Sequence, residues 1–441
     1  MASGFRDFAI TFGSRIMILL VGLGSQSCLA RLLGPPGRGS YAVAMLFATV
    51  LSLIFIFGTD VAGRYFVSSQ RFTLSEGVSN VVACGLMGCA TAVGAGLILM
   101  QMPLDFLSKA SPLCFYLALA TIPLSLFSSS FLALLAALRE FGWYALMGLG
   151  SAIASLILNL LFLWVLRWDV QGAVLVILVN GVLTFGGALA ILRWKHGLTL
   201  VWPTFKGISE MYRYGIRYYA GKLSNNANFQ IGTIILTFFA TREEIGMFAL
   251  GVGMAGQIMM VPDTLGDVVM PRVAGDARGR PELVTQVNRM VSLVSGPALL
   301  VLAVFAVPIV AVLFSPAFLP MVPIIRILAV GFFLRSACKM IEYYFLMTNH
   351  PGISSTSTAV GVAVNLVLLW LLMPAIGLLG AAVAMTVSYA VGSALLVVVF
   401  SRYSGTGLVA MWRYQRSDWT AMREVVNRFR YRLQAQAPRK G

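Results

Sequence analysis

The chain has 441 residues, 59% of them hydrophobic and only 11% charged, where a soluble domain carries about a quarter. With a mean hydropathy of +0.87, this excludes a soluble globular domain and predicts a polytopic membrane protein. The net charge of +16 invites a nucleic-acid reading, but the cations sit at the ends of apolar runs and in the C-terminal tail, so no nucleic-acid partner is expected.

A spanning helix needs about 20 apolar residues. Twelve such runs are predicted, centred near Val21, Leu53, Thr91, Leu124, Ile153, Val182, Ile231, Ile258, Leu302, Gly331, Val364 and Tyr389. The fold class expected is therefore all-α, twelve transmembrane helices in two pseudo-symmetric lobes of six. Residues 1–194 form the first lobe, 195–206 a linker, 207–404 the second lobe and 405–441 a basic tail. The positive-inside rule places both termini in the cytoplasm. The inside connections then hold Arg71, Arg139, Arg193, Lys195, Lys206, Arg278, Arg280 and Arg289, against Arg38, Lys109, Arg167 and Arg242 outside. The first span lacks a short apolar core with a cleavage site and is read as retained. Five cysteines lie in apolar runs at no metal-ligand spacing, and neither His196 nor His350 has a catalytic constellation. No cofactor or metal is expected.

Span one contains Arg15, Ser25 and Gln26, and the turn LGPPGRG from Leu33 to Gly39 ends it. Span two places Asp60 and Arg64 four residues apart, on one helical face near its inner end. A local ion pair bracing that end is the expectation there; ligand contact is the alternative. Spans three to six carry small residues suited to close helix packing and read as scaffold. A basic connection then joins the halves.

Span seven, within Gly207 to Ala240, carries Arg217, Lys222, Asn225, Asn226, Asn228 and Gln230. A charge at the centre of a spanning helix costs roughly 2.5 to 3.5 kcal/mol on insertion scales, so this helix is not expected to face lipid. Arg217, Gly221, Asn225 and Asn228 fall within an arc of about 80°, with Lys222 about 60° beyond. That polar seam suits a watery cavity; a helix buried among partners for every polar group is the alternative.

Span eight carries Asp263 and Asp267 one turn apart, before Met270-Pro271-Arg272. Two carboxylates on one face can bind Na⁺, hold a proton or pair with nearby cations, and ion pairing is the default. Span ten adds Arg335, Lys339 and Glu342, a charged stripe within an arc of about 60°, whereas span four offers only Ser128 and its neighbours. In the tail, Trp419, Met422, Val426, Phe429 and Leu433 form an apolar stripe beside four arginines. This suits a helix on anionic inner-leaflet lipid, with an ordinary positive-inside terminus as the alternative.

The halves repeat. At a shift of 207 residues Arg15 falls on Lys222, Gly39 on Gly246, Tyr41 on Phe248, Ala42 on Ala249 and Asp60-Val61 on Asp267-Val268. At 206, NLLFLW from Asn159 falls on NLVLLW from Asn365. Six spans per half is an even number, so the halves share an orientation and an axis along the membrane normal. Arg15 and Lys222 then face each other across a cavity, with Arg217, Arg335 and Lys339 on the second wall. Several cations in a low dielectric select an anion, and they suit a phosphate or pyrophosphate better than one carboxylate.

The turn LGPPGRGSYAVA, the span ends GTDVAGRYF and VVMPR, and the paired NLLFLW and NLVLLW resemble the oligosaccharidyl-lipid flippases of the polysaccharide transporter family. Their superfamily also holds multidrug and toxin extrusion proteins and the lipid II flippase. The likeness covers nearly the whole chain to about Ser404. It implies a two-lobed, non-enzymatic transporter of the bacterial inner membrane. Its partner would be an undecaprenyl-pyrophosphate-linked oligosaccharide, moved from the cytoplasmic to the periplasmic leaflet by alternating access for lipopolysaccharide or exopolysaccharide synthesis.

By the same likeness, spans one and seven border the cavity. Substrate contacts are then expected from Arg15, Arg217, Lys222, Asn225, Asn228, Arg335 and Lys339, and gating or Na⁺ or H⁺ coupling from Asp60, Arg64, Asp263, Asp267, Arg272 and Glu342. Outward movement of each negative charge gains roughly 2.3 kcal/mol per 100 mV.

ATP hydrolysis is excluded by the glycine spacing and by Leu223 after Lys222, where a phosphate loop needs Ser or Thr. A glycan polymerase or ligase would need a large outer loop. A multidrug exporter of cations would present carboxylates and aromatics, whereas the excess here is cationic.

Overall fold

The computed structural model describes residues 2–138, 140–199, 201–273, 281–348, 350–415 and 418, with all their side chains except those of 2–12, 60, 61, 141, 217–229, 267–273, 351, 409 and 410. Every regular element among them is helical. The first, α1 (Ala2–Phe55), is two helices meeting at Gly34, whose φ of 65° lies in the left-handed region. Glycine takes that conformation without a Cβ clash, and the adjoining Pro35-Pro36 pair suits the first turn of a new helix. Phe57 and Gly58, both at positive φ, interrupt the second span before α2 (Thr59–Ser68).

The first half continues with α3 (Leu74–Leu99), α4 (Pro112–Ala137), α5 (Phe141–Asn159) and α6 (Asp169–His196). Thr73 and Glu76 cap α3 with reciprocal hydrogen bonds, satisfying donors that would otherwise be orphaned. The second half begins with α7 (Phe205–Phe239), α8 (Arg242–Gly256) and α9 (Met260–Val273), the last two separated by a 3₁₀ turn at Gln257–Met259. Then come α10 (Pro281–Val304), α11 (Ala306–Leu313), α12 (Val322–Ser336), α13 (Lys339–Met347), α14 (Pro351–Ile376) and α15 (Leu378–Ser404), with a short α16 (Leu408–Trp412) beyond. The charged helix expected as span ten is thus broken between α12 and α13. Asn288 Nδ2 donates to the carbonyl of Ala337 in that break.

Among the described residues ten helices are long and apolar enough to cross a membrane, where twelve spans were expected. Spans one and two run through the Gly34 turn as one stretch, Gly13–Phe55, and in α7 the stretch Gln230–Phe239, beyond the residues whose side chains lie outside those described, is a shorter apolar helix.

The bundle has a turn end, marked by the Gly34 turn, and an opposite linker end, marked by residues 197–204. Near the turn end, one buried cluster draws on both halves: Phe47 and Phe115 from the first pack in it with Leu236, Phe248, Phe314 and Phe332 from the second. Toward the linker end the core divides. Val78, Phe131 and Leu192 form one cluster in the first half, and Val291, Phe345 and Phe400 another in the second.

Gly39 and Gly246, matched by the repeat, touch at the turn end: a Cβ on Gly246 would lie 3.1 Å from Gly39 Cα and 2.7 Å from Pro35 O. Such close backbone approach is how helices associate in lipid, where hydrophobic burial supplies little drive.

The helix α7 belongs to both halves. Near its start, Met211 is buried with Ala62, Phe66 and Val81 of the first half, and Tyr214 stacks on Tyr65 at 4.3 Å. Its far end joins the shared core and packs against α14.

Beyond Gly405 the tail turns back. Met411 is buried against the second half, and Asp418 forms a bidentate pair with Arg289 of α10 at 2.7 and 3.0 Å, both side chains being buried. The apolar stripe from Trp419 onward lies outside the described residues.

Candidate functional site: the contact between the halves and the charged chain behind it

The contact between the halves begins on span one. Arg15, half-buried, donates from Nη1 to Thr264 Oγ1 of α9 at 2.7 Å, and so bridges the halves. Thr264 in turn donates to Met260 O at 2.7 Å, which fixes its hydroxyl. Its neighbour Asp263 accepts from Tyr343 Oη of α13 at 2.6 Å. Gly266 makes that contact sterically possible, since a Cβ there would lie 2.4 Å from the Tyr343 ring.

The chain of polar groups continues into the second half. Lys339 Nζ lies 5.3 Å from the centre of the Tyr343 ring and 3.1 Å from Glu342 Oε2. Arg335 Nη2 is 3.7 Å from the same oxygen, and its guanidinium lies 5.3 Å from the Tyr389 ring centre. One carboxylate thus serves two cations. Buried charges need this kind of pairing, because an unpaired one carries its full desolvation cost.

Arg335 and Lys339 were expected on the second wall of the cavity and Glu342 in gating or coupling. Arg335 and Glu342 border a pocket within the second half, with Cys338, Ser354, Ser357, Thr358, Ser388, Tyr389 and Ser393. Lys339 stands beside it, nearly buried.

Helix α7 is continuous through Arg217, Lys222, Asn225 and Asn228, so they keep the helical spacing read from the sequence; their side chains lie outside those described. The same holds for Asp60 on α2 and for Asp267 and Arg272 on α9. Arg64 is described and exposed.

At the turn end the halves are fastened by cations on backbone carbonyls. Lys109 Nζ, from the connection between α3 and α4, donates to Thr237 O at 2.6 Å and Ala240 O at 2.5 Å, at the C-terminus of α7. A cation is favoured there by the helix dipole. Burial pushes the Lys109 ammonium below the ordinary lysine pKa, against the opposing pull of Glu244 and Asp105. Arg242 Nη2 returns a bond to Ser108 O at 2.5 Å, and Arg31 Nε reaches Leu313 O at 3.0 Å.

Sequence reasoning missed this fastening, although the signal was present in Lys109 and Arg242 on short connections. It missed Asp418 too, one of two acids, with Glu424, in a basic tail.

Solved structures share this architecture. The lipid II flippase MurJ in an inward-closed conformation superposes with a TM-score of 0.73 at 14% identity, over 97% of both chains. An inward-facing multidrug resistance transporter of the MATE family gives 0.62 at 17% identity, over 91% of this chain and 99% of the other. In sequence, the probable low-salt glycan biosynthesis flippase Agl15 of Haloferax volcanii is 21% identical over 248 residues, covering 54% of this chain and 52% of that protein; the match thus spans about half the length of that relative. Residues 5–275 match the polysaccharide biosynthesis protein family, and the chain is a member of that family.

Proposed function

We propose that this protein is a flippase that carries an undecaprenyl-pyrophosphate-linked oligosaccharide from the cytoplasmic to the periplasmic leaflet of a bacterial inner membrane by alternating access. The observation that carries this reading is the asymmetry of the contact between the halves. At the turn end they share one apolar core and the carbonyl fastening around Lys109. At the linker end the two larger clusters are separate, and the halves meet there through the small cluster around Met211, the Arg15–Thr264 hydrogen bond and the Tyr65–Tyr214 stack.

Opening the linker end therefore costs less: one such hydrogen bond contributes about 0.5–1.5 kcal/mol net. With both termini cytoplasmic, that end receives the substrate. Arg15 then turns from Thr264 to the pyrophosphate, facing Lys222 and the seam of Arg217, Asn225 and Asn228 on α7. Because α7 is packed on both halves, it bends within the polar stretch when they move. Asp60, Arg64, Asp267 and Arg272 close the linker end behind the cargo. Asp263 moves with α9, so a Na⁺ or H⁺ gradient could act through it.

Export of cationic drugs is the rival, favoured by the likeness to the multidrug transporter; against it stand the cations offered by Arg15, Arg217 and Lys222. Binding distinguishes the two. Purified protein should bind undecaprenyl pyrophosphate, and the Arg15→Ala, Lys222→Ala double variant should bind it at least about tenfold more weakly, as expected for loss of a charge-assisted hydrogen bond. Equal affinity in the double variant would remove these residues from the site.

A further inference from the structure

We propose that the segment joining the halves, from Arg193 to Lys206, is a membrane-interface site for acidic phospholipid, its cations meeting the headgroup phosphates and its aromatic side chains the upper acyl chains. Three large aromatics in this short segment turn away from the protein: Trp194 is 79% exposed, Trp202 94% and Phe205 87%. Scattered exposed apolar side chains are ordinary, but three so close together mark a contact surface.

The path of the segment sets their depth. Leu198 is buried in the core of the first half. From there the chain descends along α3: the Thr199 N–H donates to Ser75 Oγ at 3.4 Å, that of Val201 to Ser79 Oγ at 3.1 Å and that of Thr204 to Asn80 Oδ1 at 3.2 Å. Ser75 and Asn80 are about 7 Å apart along the helix axis. With its 26 residues, α3 is about 39 Å long and overruns a hydrocarbon core of about 30 Å by only a few ångströms at each end. The segment thus starts among the headgroups and brings Trp202 and Phe205 to the boundary with the acyl chains. Tryptophan is favoured at that level, where its ring is in apolar surroundings and its N–H reaches water. A soluble partner would have to displace lipid to reach these side chains.

The charges choose the lipid. Residues 60–80, 138–142 and 193–213, which form this end of the first half, hold seven Lys and Arg against four carboxylates. Of those carboxylates, Glu140 is taken by Lys195 at 2.7 Å and Glu76 caps α3. Among the described residues, Arg71, Arg193, Lys206 and Arg213 are exposed and form no ion pair. Each Lys or Arg near the surface strengthens binding to acidic lipid about fivefold. Lipid held here fastens the first half and the start of α7 to the leaflet.

The test has two arms, both on the full chain. In vesicles of phosphatidylcholine and phosphatidylglycerol, a nitroxide attached through Trp202→Cys, with the five native cysteines replaced by alanine, should collide readily with oxygen and be shielded from an aqueous nickel chelate. In detergent, the unfolding temperature should rise saturably with phosphatidylglycerol, at a lower concentration than with phosphatidylcholine. The double variant Arg193→Gln, Lys206→Gln should raise the half-saturating concentration of phosphatidylglycerol by about thirtyfold and leave that of phosphatidylcholine unchanged. The proposal is overturned if the nickel chelate reaches the label freely, as expected of a face that docks a soluble protein. It is equally overturned if the two lipids act alike on the wild type, or if the double variant responds to phosphatidylglycerol as the wild type does. Neither arm involves transport, so the flippase reading stands or falls separately.

Discussion

The segments that follow α6 and α15 are each docked beside a helix of the half they leave, but by different chemistry. After α6, Met211 at the start of α7 is buried among Ala62, Phe66 and Val81, beside α3. After α15, the residue 207 positions later is Asp418, which pairs with Arg289 on α10. Both ends are docked near the third helix of a half, one by an apolar side chain and the other by a buried ion pair.

The difference has a physical reason. Met211 leads into a spanning helix that holds it in place, so packing suffices. Asp418 is instead held by a directional contact, and a bidentate Arg–carboxylate pair supplies that geometry.

The pair of contacts can be broken selectively. The largest effect is expected from Asp418→Ala, which leaves Arg289 buried and unpaired; the loss should be about 3–5 kcal/mol. It should appear as a lower unfolding temperature in detergent. Joining Arg289→Met to Asp418→Leu, so that the second half copies the first, should recover most of it. Met211→Ala should cost less, at the lower end of about 2–5 kcal/mol. If Met211→Ala proves the more damaging of the two, or the apolar double substitution recovers nothing, the ion pair is not what docks the tail.

A smaller effect is expected between the halves. Thr264→Val removes the acceptor for Arg15 while keeping shape, so its cost in stability should be only about 1 kcal/mol. Its clearer consequence is a shifted balance of conformations. Spin labels on the linker-end parts of α2 and α9 should show a larger share of separated halves than in the wild type. An unchanged distance distribution would mean that Arg15 does not hold that end closed.

Much of the architecture was legible in the sequence because it is written in periodic patterns. Most of the apolar runs reappear as helices, as does the Gly34 turn with its two prolines, and Gly39 and Gly246, aligned in the sequence, lie in direct contact. The break between α12 and α13 was not legible, because Arg335 to Glu342 keep a helical spacing across it. Pairing was the other blind spot. Arg15 and Thr264 lie 249 residues apart, and nothing on α9 signals that Asp263 meets a phenol from α13. The sequence showed which groups need partners; only packing decides which partners they take.

The central claim is that the cargo is an anionic, lipid-linked glycan moved through the contact between the halves. Vesicles containing the purified protein and an undecaprenyl-pyrophosphate-linked oligosaccharide test it directly, when digestion by an impermeant glycosidase reports how much glycan faces outward. If the account holds, the wild type makes the inner pool accessible within minutes, and the Arg15→Ala, Lys222→Ala variant leaves it as protected as in protein-free vesicles. A wild type that leaves the glycan protected while expelling a cationic dye would contradict it.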